Sequence, residues 1–297
     1  MENDNLRNPR EKHHTGSYPD QEQDTPALQK DMDPKPDCGE DSYEGNGRLE
    51  GRNALITGGD SGIGRAAAIA YAREGANVAI QFLPGEEPDA EEVKEIIEDA
   101  GQEALLLPYD LRDDNAATEI VVKTVEAFGA LDALVLNAAQ QIAHTELSDL
   151  PMEQVHDTFK VNVISMFETV KAAEEHLAAG STIVTTTSVQ SFDPSVPLID
   201  YAATKGAISN LTVSLSSYFS EKGIRVNAVA PGPIWTPLQL DQGQPEGKIP
   251  DFGKNSPLGR AGQPVELAPV YVLLASDEGS YITGQIYGVT GGQPIDL

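Results

Sequence analysis

A strand, a glycine-rich turn and a helix in immediate succession constrain this chain more than any other feature. Residues 53–57 form a short apolar run that predicts a buried strand, and a helical stretch over 63–73 is closed by Gly75. Between them stands Thr57-Gly58-Gly59-Asp60-Ser61-Gly62-Ile63-Gly64. A glycine cluster by itself marks many ordinary turns. Here it opens an array: apolar runs at 77–82, 104–108, 133–137, 182–187, 225–230 and 285–289 predict six more strands. Helical patterns over 91–100, 115–128, 152–179, 201–221 and 265–275 separate them. Near-continuous apolar strands alternating with helices mean a parallel sheet covered on both faces. The expected fold class is therefore α/β: a single-domain Rossmann fold, doubly wound, of about seven parallel strands with helices on both faces.

In that setting the turn reads as a dinucleotide site. Gly58 permits the sharp turn, Gly62 lets backbone amides approach a pyrophosphate, and Gly64 allows helix and strand to pack closely. Asp60, Ser61 and Ile63 complete the turn at the helix N-terminus, which favours negative phosphates. An acid at the end of the second strand would read an NAD ribose, and an arginine nearby would accept the 2′-phosphate of NADP. Ile80-Gln81-Phe82-Leu83-Pro84-Gly85 offers neither, and Glu86 and Glu87 follow a turn. The absence of the acid leans toward NADP, with Phe82 beside the adenosine. Asp110 and Leu111 are placed to meet the adenine, although Asp110 could equally cap a helix. Asn137, Ala138 and Ala139 would let the backbone pass beneath the cofactor.

Tyr201 and Lys205 lie four apart in a helical stretch, so their side chains share a face. An ammonium beside a phenol favours the phenolate, as a general acid/base near neutrality requires. Tyr-x-x-x-Lys is common on helix surfaces, so context decides. Ser188 ends a predicted strand thirteen residues upstream. Asn162 is an amide within an apolar helical stretch, either a satisfied core polar residue or the holder of a proton-relaying water.

These pieces resemble the short-chain dehydrogenase/reductases over essentially all of residues 50–297. The resemblance rests on the Thr-Gly-x-x-x-Gly-Ile-Gly turn, Asn137-Ala138-Ala139, Asn162, Ser188, Tyr201-x-x-x-Lys205 and Pro231-Gly232. Leu136 and Ala139 depart from the usual Asn-Asn-Ala-Gly. The segments 58–64, 230–237 and 261–271, with Tyr18-Pro19, Thr25-Pro26 and Pro36-Asp37-Cys38-Gly39, are similar to one bacterial branch of stress-associated proteins. That branch includes an NADP-dependent aldehyde reductase. The resemblance implies that Tyr201 exchanges a proton with the carbonyl or alcohol oxygen while hydride passes to or from nicotinamide. It further implies that Lys205 lowers the tyrosine pKa and binds the ribose, that Ser188 polarises the oxygen and that Asn162 completes a relay. Pro231, Gly232, Ile234 and Thr236 should line the nicotinamide side. A homotetramer is implied too, with the stretch 281–289 near an interface. Sugar dehydrogenases share every motif, and a non-catalytic dinucleotide-binding regulator would share the turn.

Residues 1–49 carry five prolines and few large apolar side chains. Composition predicts disorder there; because Tyr18, Thr25-Pro26 and Cys38 belong to the resemblance, an ordered extended arm is the expectation. Residues 235–257 show no helical period and are read as part of a substrate lid spanning about 233–257. Trp235, Leu238, Leu240, Ile249 and Phe252 are available in it to cover a small, partly apolar carbonyl or alcohol substrate.

The charge is lopsided: 20 Lys and Arg against 47 Asp and Glu, a formal net of −27. Twelve acids and six bases fall within residues 1–49, so −21 lies on the remainder. Nucleic acid is excluded as a partner, because binding it needs a basic footprint. Such an excess repels itself unless salt screens it. A melting midpoint that rises between low and molar KCl is expected of a high-salt protein; a midpoint indifferent to salt would remove that reading. No run is long and apolar enough for a membrane helix. The polar first ten residues do not resemble a secretory signal. One cysteine, Cys38, suits a reducing cytoplasm. The five histidines show no metal-ligand spacing.

Overall fold

The computed structural model describes residues 6–295; residues 1–5, part of the polar start noted above, lie outside them. The strands are β1 (Asn53–Thr57), β2 (Asn77–Phe82), β3 (Ala104–Pro108), β4 (Ala133–Leu136), β5 (Thr182–Thr186), β6 (Arg225–Pro231) and β7 (Ile286–Val289). They form one parallel sheet in the order β3-β2-β1-β4-β5-β6-β7. Every residue of β1, β4 and β5 is buried, as the unbroken apolar runs required. Chain order reverses between β1 and β4, and the crevice beyond their C-terminal ends is where such sheets bind ligands.

The helices are α1 (Gly62–Arg73), α2 (Glu87–Asp99), α3 (Ala116–Phe128), α4 (Met152–Phe159), α5 (Ser165–Ala173), α6 (Ile199–Ser220) and α7 (Ala268–Ala275). Their apolar faces build two cores. Ile69, Tyr71, Ile97 and Tyr271 pack on one side of the sheet, and Ile120, Met166, Ile208 and Phe219 on the other. The single helix expected over 152–179 is interrupted: residues 160–164 form a π turn between α4 and α5, and α5 ends at Ala173. A π turn widens the helix locally, and such bulges recur at functional sites. Helix α2 begins four residues earlier than its apolar period suggested, because Pro88 occupies its first turn, where a missing N–H costs nothing.

The segment 6–49 is irregular apart from one short 3₁₀ turn, yet it is anchored. Tyr18, Ala27, Met32, Cys38 and Leu49 are buried. Near its end, the Tyr43 hydroxyl donates to Glu74 Oε1 at 2.7 Å, and the Arg48 guanidinium pairs with the same carboxylate. Composition alone missed this order, because the anchors are single residues spaced irregularly along the segment.

Candidate active site

The glycine turn is built to a clearance of less than one methyl group. Gly58 and Gly62 have φ of +62° and +51°, the left-handed region that glycine enters without strain. A Cβ on Gly64 would stand 1.8 Å from the Gly58 carbonyl oxygen. One on Gly62 would stand 2.9 Å from Thr236 Cγ2, so this turn and the segment after β6 meet closely. Thr57 Oγ1 accepts from the backbone amides of Asn137 and Ala138 at 2.9 and 3.1 Å, and Asn137 Nδ2 donates to the Gly58 carbonyl at 3.2 Å. These bonds lock the ends of β1 and β4 together at the point where the sheet order reverses.

A cavity of about 940 Å³ opens from that point and runs along the C-terminal edge of the sheet. Every residue expected at the site lines it except Gly64 and Asn162, which support it from behind. At one end stand Gly58, Asp60, Ser61, Gly62, Ile63 and Phe82; Asp110, Leu111, Asn137 and Ala138 follow; Pro231, Gly232, Ile234 and Thr236 close the far side. Asp110 does not cap α3. It pairs with Arg112 at 2.6 Å, and although burial works upward, the guanidinium holds its carboxyl below the usual range.

Sequence reasoning set aside an acid just past the end of β2 because it follows a turn. Glu86 turns back so that its Oε2 accepts from the Leu83 amide at 2.8 Å, and it lines the cavity. Burial raises the Asp60 and Glu86 carboxyls well above their ordinary values, and the charge of Asp60 adds to the push on Glu86. Both therefore hold protons more readily than a surface acid. The signal was absent because a run of Leu83-Pro84-Gly85 gives no hint that the following side chain folds back.

Tyr201, Lys205 and Ser188, expected to carry the chemistry, line the same cavity. Tyr201 lies in the first turn of α6 and Lys205 one turn on, and both are buried. Lys205 Nζ donates to the Thr186 carbonyl at 2.9 Å and lies 5.2 Å from the centre of the Tyr201 ring. Ser188 stands two residues past β5, and its Oγ accepts from the Gln190 amide at 3.1 Å. Burial pushes Tyr201 up to about 12, with a side-chain hydrogen bond from Ser188 working against it. Burial pushes Lys205 down to about 7. Desolvation is the larger effect on both groups. The Lys205 shift weakens the fold below about pH 7, and that cost fades as pH rises toward the ordinary lysine value of 10.5.

Asn162 sits in the π turn and is fully buried. Its Oδ1 accepts from the Gln140 amide at 2.7 Å, while Nδ2 donates to the Gln140 carbonyl and to Thr204 Oγ1, both at 3.0 Å. Both hydrogens of the amide are engaged, so the side chain is held rigidly in place. Asp200, next to Tyr201, accepts from Thr158 Oγ1 at 2.9 Å and Gln154 Nε2 at 3.1 Å. These bonds pin the start of α6 to α4, and with it the position of the tyrosine.

The expected lid is only partly a lid. Leu238 and Phe252 line the cavity. Trp235, Leu240 and Ile249 face away, packed with Tyr18 and Met32 of the N-terminal arm. Tyr18 stacks on Trp235 at 3.8 Å between ring centres, and Trp235 Nε1 donates to the Pro34 carbonyl at 2.8 Å. A flat apolar ring with one N–H donor is satisfied by that arrangement, which is why the tryptophan is unavailable to substrate. Among the described residues, no group of three or more His, Cys, Asp or Glu could hold a metal.

A family model described as enoyl-(acyl carrier protein) reductase matches residues 58–293. An uncharacterised oxidoreductase of Bacillus subtilis is 57% identical over 297 residues, covering 99% of both chains. A glucose and ribitol dehydrogenase of Daucus carota is 41% identical, covering 95% of this chain and 98% of the relative. A chloroplastic NADPH-dependent aldehyde reductase of Arabidopsis thaliana is 42% identical, covering 91% and 96%. Among solved structures, a short-chain dehydrogenase from Burkholderia cenocepacia in complex with NADP superposes with a TM-score of 0.77 at 33% identity. It covers 82% of this chain and 98% of its own.

Proposed function

The chain belongs to the short-chain dehydrogenase/reductase family and is an NAD(P)-dependent oxidoreductase, and from that premise we propose that it reduces small aldehydes or ketones, or oxidises the corresponding alcohols. One observation carries the reading. Ser188, Tyr201 and Lys205 open onto the same cavity as the glycine turn, and in this reading a dinucleotide held at the turn lies along the cavity with its nicotinamide at the tyrosine.

In this reading Tyr201 donates its proton to the carbonyl oxygen during reduction and recovers it in the reverse direction. Ser188 hydrogen-bonds the same oxygen and fixes it beside the phenol. Lys205, tethered to the Thr186 carbonyl, holds the nicotinamide ribose and carries the proton path away from Tyr201. Asn162 and Asp200 keep α6 in place. The bound cofactor supplies the hydride; the protein supplies placement and electrostatics. The glycine turn, Asp110, Leu111, Asn137 and Ala138 hold the adenosine and pyrophosphate, and Pro231 to Thr236 hold the nicotinamide. NADP is the favoured cofactor. The NADPH-dependent relative and the NADP-bound neighbour support it. So does the Glu86 carboxyl, which burial pushes up to about 9, so that it adds little fixed charge against a 2′-phosphate near neutrality.

A second reading, oxidation of a sugar or polyol, has an observation of its own. Gln140, Gln141, Gln190, Gln239 and Gln244 all line the cavity, and amides suit several hydroxyls. The glucose and ribitol dehydrogenase relative points the same way. A regulator without catalysis fits poorly with a complete set of Asn162, Ser188, Tyr201 and Lys205. Residues 1–49 act as an arm to the catalytic domain of 50–297, and a homotetramer in the cytoplasm is the expected state. Exposed Phe167, Val213 and Tyr218 on α5 and α6 offer apolar surface for assembly, as does Tyr281. No helix among the described residues is long and apolar enough to cross a membrane.

Aldehyde, ketone and sugar panels with each cofactor, followed at 340 nm in low and high salt, separate these readings. Turnover of aldehydes with NADPH is the expected result. Turnover confined to sugars would favour the second reading, and none with any panel member would remove both.

A further inference from the structure

The first turn of α1 is capped by a residue from far outside it. Ser61 stands at the N-cap position, yet its hydroxyl makes no cap hydrogen bond. Instead Gln29, thirty-three residues upstream on the arm, accepts from the Gly62 amide through Oε1 at 2.8 Å. The arm is fixed for this purpose. The Gln29 and Lys30 backbone amides donate to the two carboxylate oxygens of Asp89 at 2.5 and 3.0 Å. The Gln29 Nε2 points to Cys38 Sγ at 3.4 Å, and that thiol lies 3.5 Å from the Gly62 carbonyl. Gln29, Cys38 and Asp89 are all buried, and Thr25 and Ala27 of the same segment line the large cavity. Asp60, next in the turn, is 2% exposed, lines the cavity and has a buried Oδ2 without a hydrogen-bond partner.

The residue type is informative. A helix N-terminus is stabilised by negative charge, but Gln29 is buried beside the Asp89 carboxylate, where a glutamate would be desolvated and repelled. The chain has acids in excess, 47 against 20 bases, yet a neutral amide sits here. An uncharged acceptor satisfies the Gly62 amide and leaves the positive end of α1 for another anion.

We propose that Gln29 is a positioning residue for the cofactor: from the N-terminal arm it holds the glycine turn in shape while keeping that helix end uncharged for the pyrophosphate. The inference rests on the reading of the turn as the dinucleotide site. The arm is then part of the cofactor-binding wall, tied through Tyr18 and Trp235 to the substrate loop as well.

The test compares full-length wild type, Gln29→Glu and Gln29→Ala by thermal melting and by titration with NADPH and NADH, followed by nicotinamide fluorescence. Gln29→Glu should lower the melting midpoint, because the new carboxyl is buried beside Asp89, and should weaken both cofactors about tenfold or more, increasingly as pH rises and that carboxyl ionises against the pyrophosphate. Gln29→Ala should lower the midpoint and weaken both cofactors a few-fold, about the effect of losing one cap. A folded Gln29→Glu that binds as wild type does would overturn the proposal and leave Gln29 a purely structural cap. Should Gln29→Glu not fold, wild-type affinity in Gln29→Ala would overturn it equally. Wild-type protein that binds neither cofactor would instead remove the dinucleotide reading beneath it.

Discussion

Tyr201→Phe is expected to cut turnover by about 10²- to 10⁴-fold, the range that one general acid supplies, while NADPH and NADH bind as to wild type. The substitution deletes a single oxygen. The ring keeps its place in the first turn of α6, because Asp200 and its partners on α4 fix that turn independently. Lys205 also keeps its bond to the Thr186 carbonyl, so the contact proposed to hold the ribose survives. Stability should move little, since burial already disfavours ionisation of the phenol, which is pushed up to about 12. The informative pattern is therefore lost kcat with retained cofactor affinity and retained melting midpoint. Steady-state rates beside cofactor titration and a melt would check it, and substantial residual turnover would take Tyr201 out of the reaction.

Gly64→Val should abolish detectable cofactor binding and destabilise the fold by about 3 kcal/mol or more, the upper end for overpacking a filled site. The new Cβ would stand 1.8 Å from a backbone oxygen and 2.8 Å from Asn137 Nδ2. No rotamer change relieves a clash with backbone, so the turn itself has to move. That movement would break the Thr57 and Asn137 bonds that hold the ends of β1 and β4. Gly206 is the internal control. It lies within α6, and a Cβ there would meet nothing within 4 Å, so Gly206→Ala should gain stability by about 0.5–1 kcal/mol from helix propensity alone. Equal melting midpoints for wild type and Gly64→Val would contradict the packing described for the turn.

The sheet and the glycine turn were legible because both are written in local patterns. Apolar runs between helical periods placed all seven strands to within a residue at each end, and right-handed crossovers implied the doubly wound parallel sheet that they form. The helix through Asn162 was less legible, because a π turn is one residue of local strain inside an unbroken helical pattern. Glu86 was discounted and Gln29 was invisible for a different reason. Each acts through a side chain that returns to the site after a turn or across a long sequence gap, and no period marks such a contact. Trp235 was misassigned because its best partner, Tyr18, stands more than two hundred residues away in a segment whose composition suggests disorder.

The most direct test follows the hydride. Wild-type protein would be supplied with NADPH deuterated at nicotinamide C4 on either face, together with a small aldehyde, and the alcohol product examined by mass spectrometry. Deuterium on the carbinol carbon from one face only, with no label when Tyr201→Phe replaces wild type on the same time scale, is the predicted result. Bound cofactor with no labelled product from aldehydes, ketones or the reverse reaction with sugars would contradict the assignment of this site as one for hydride transfer.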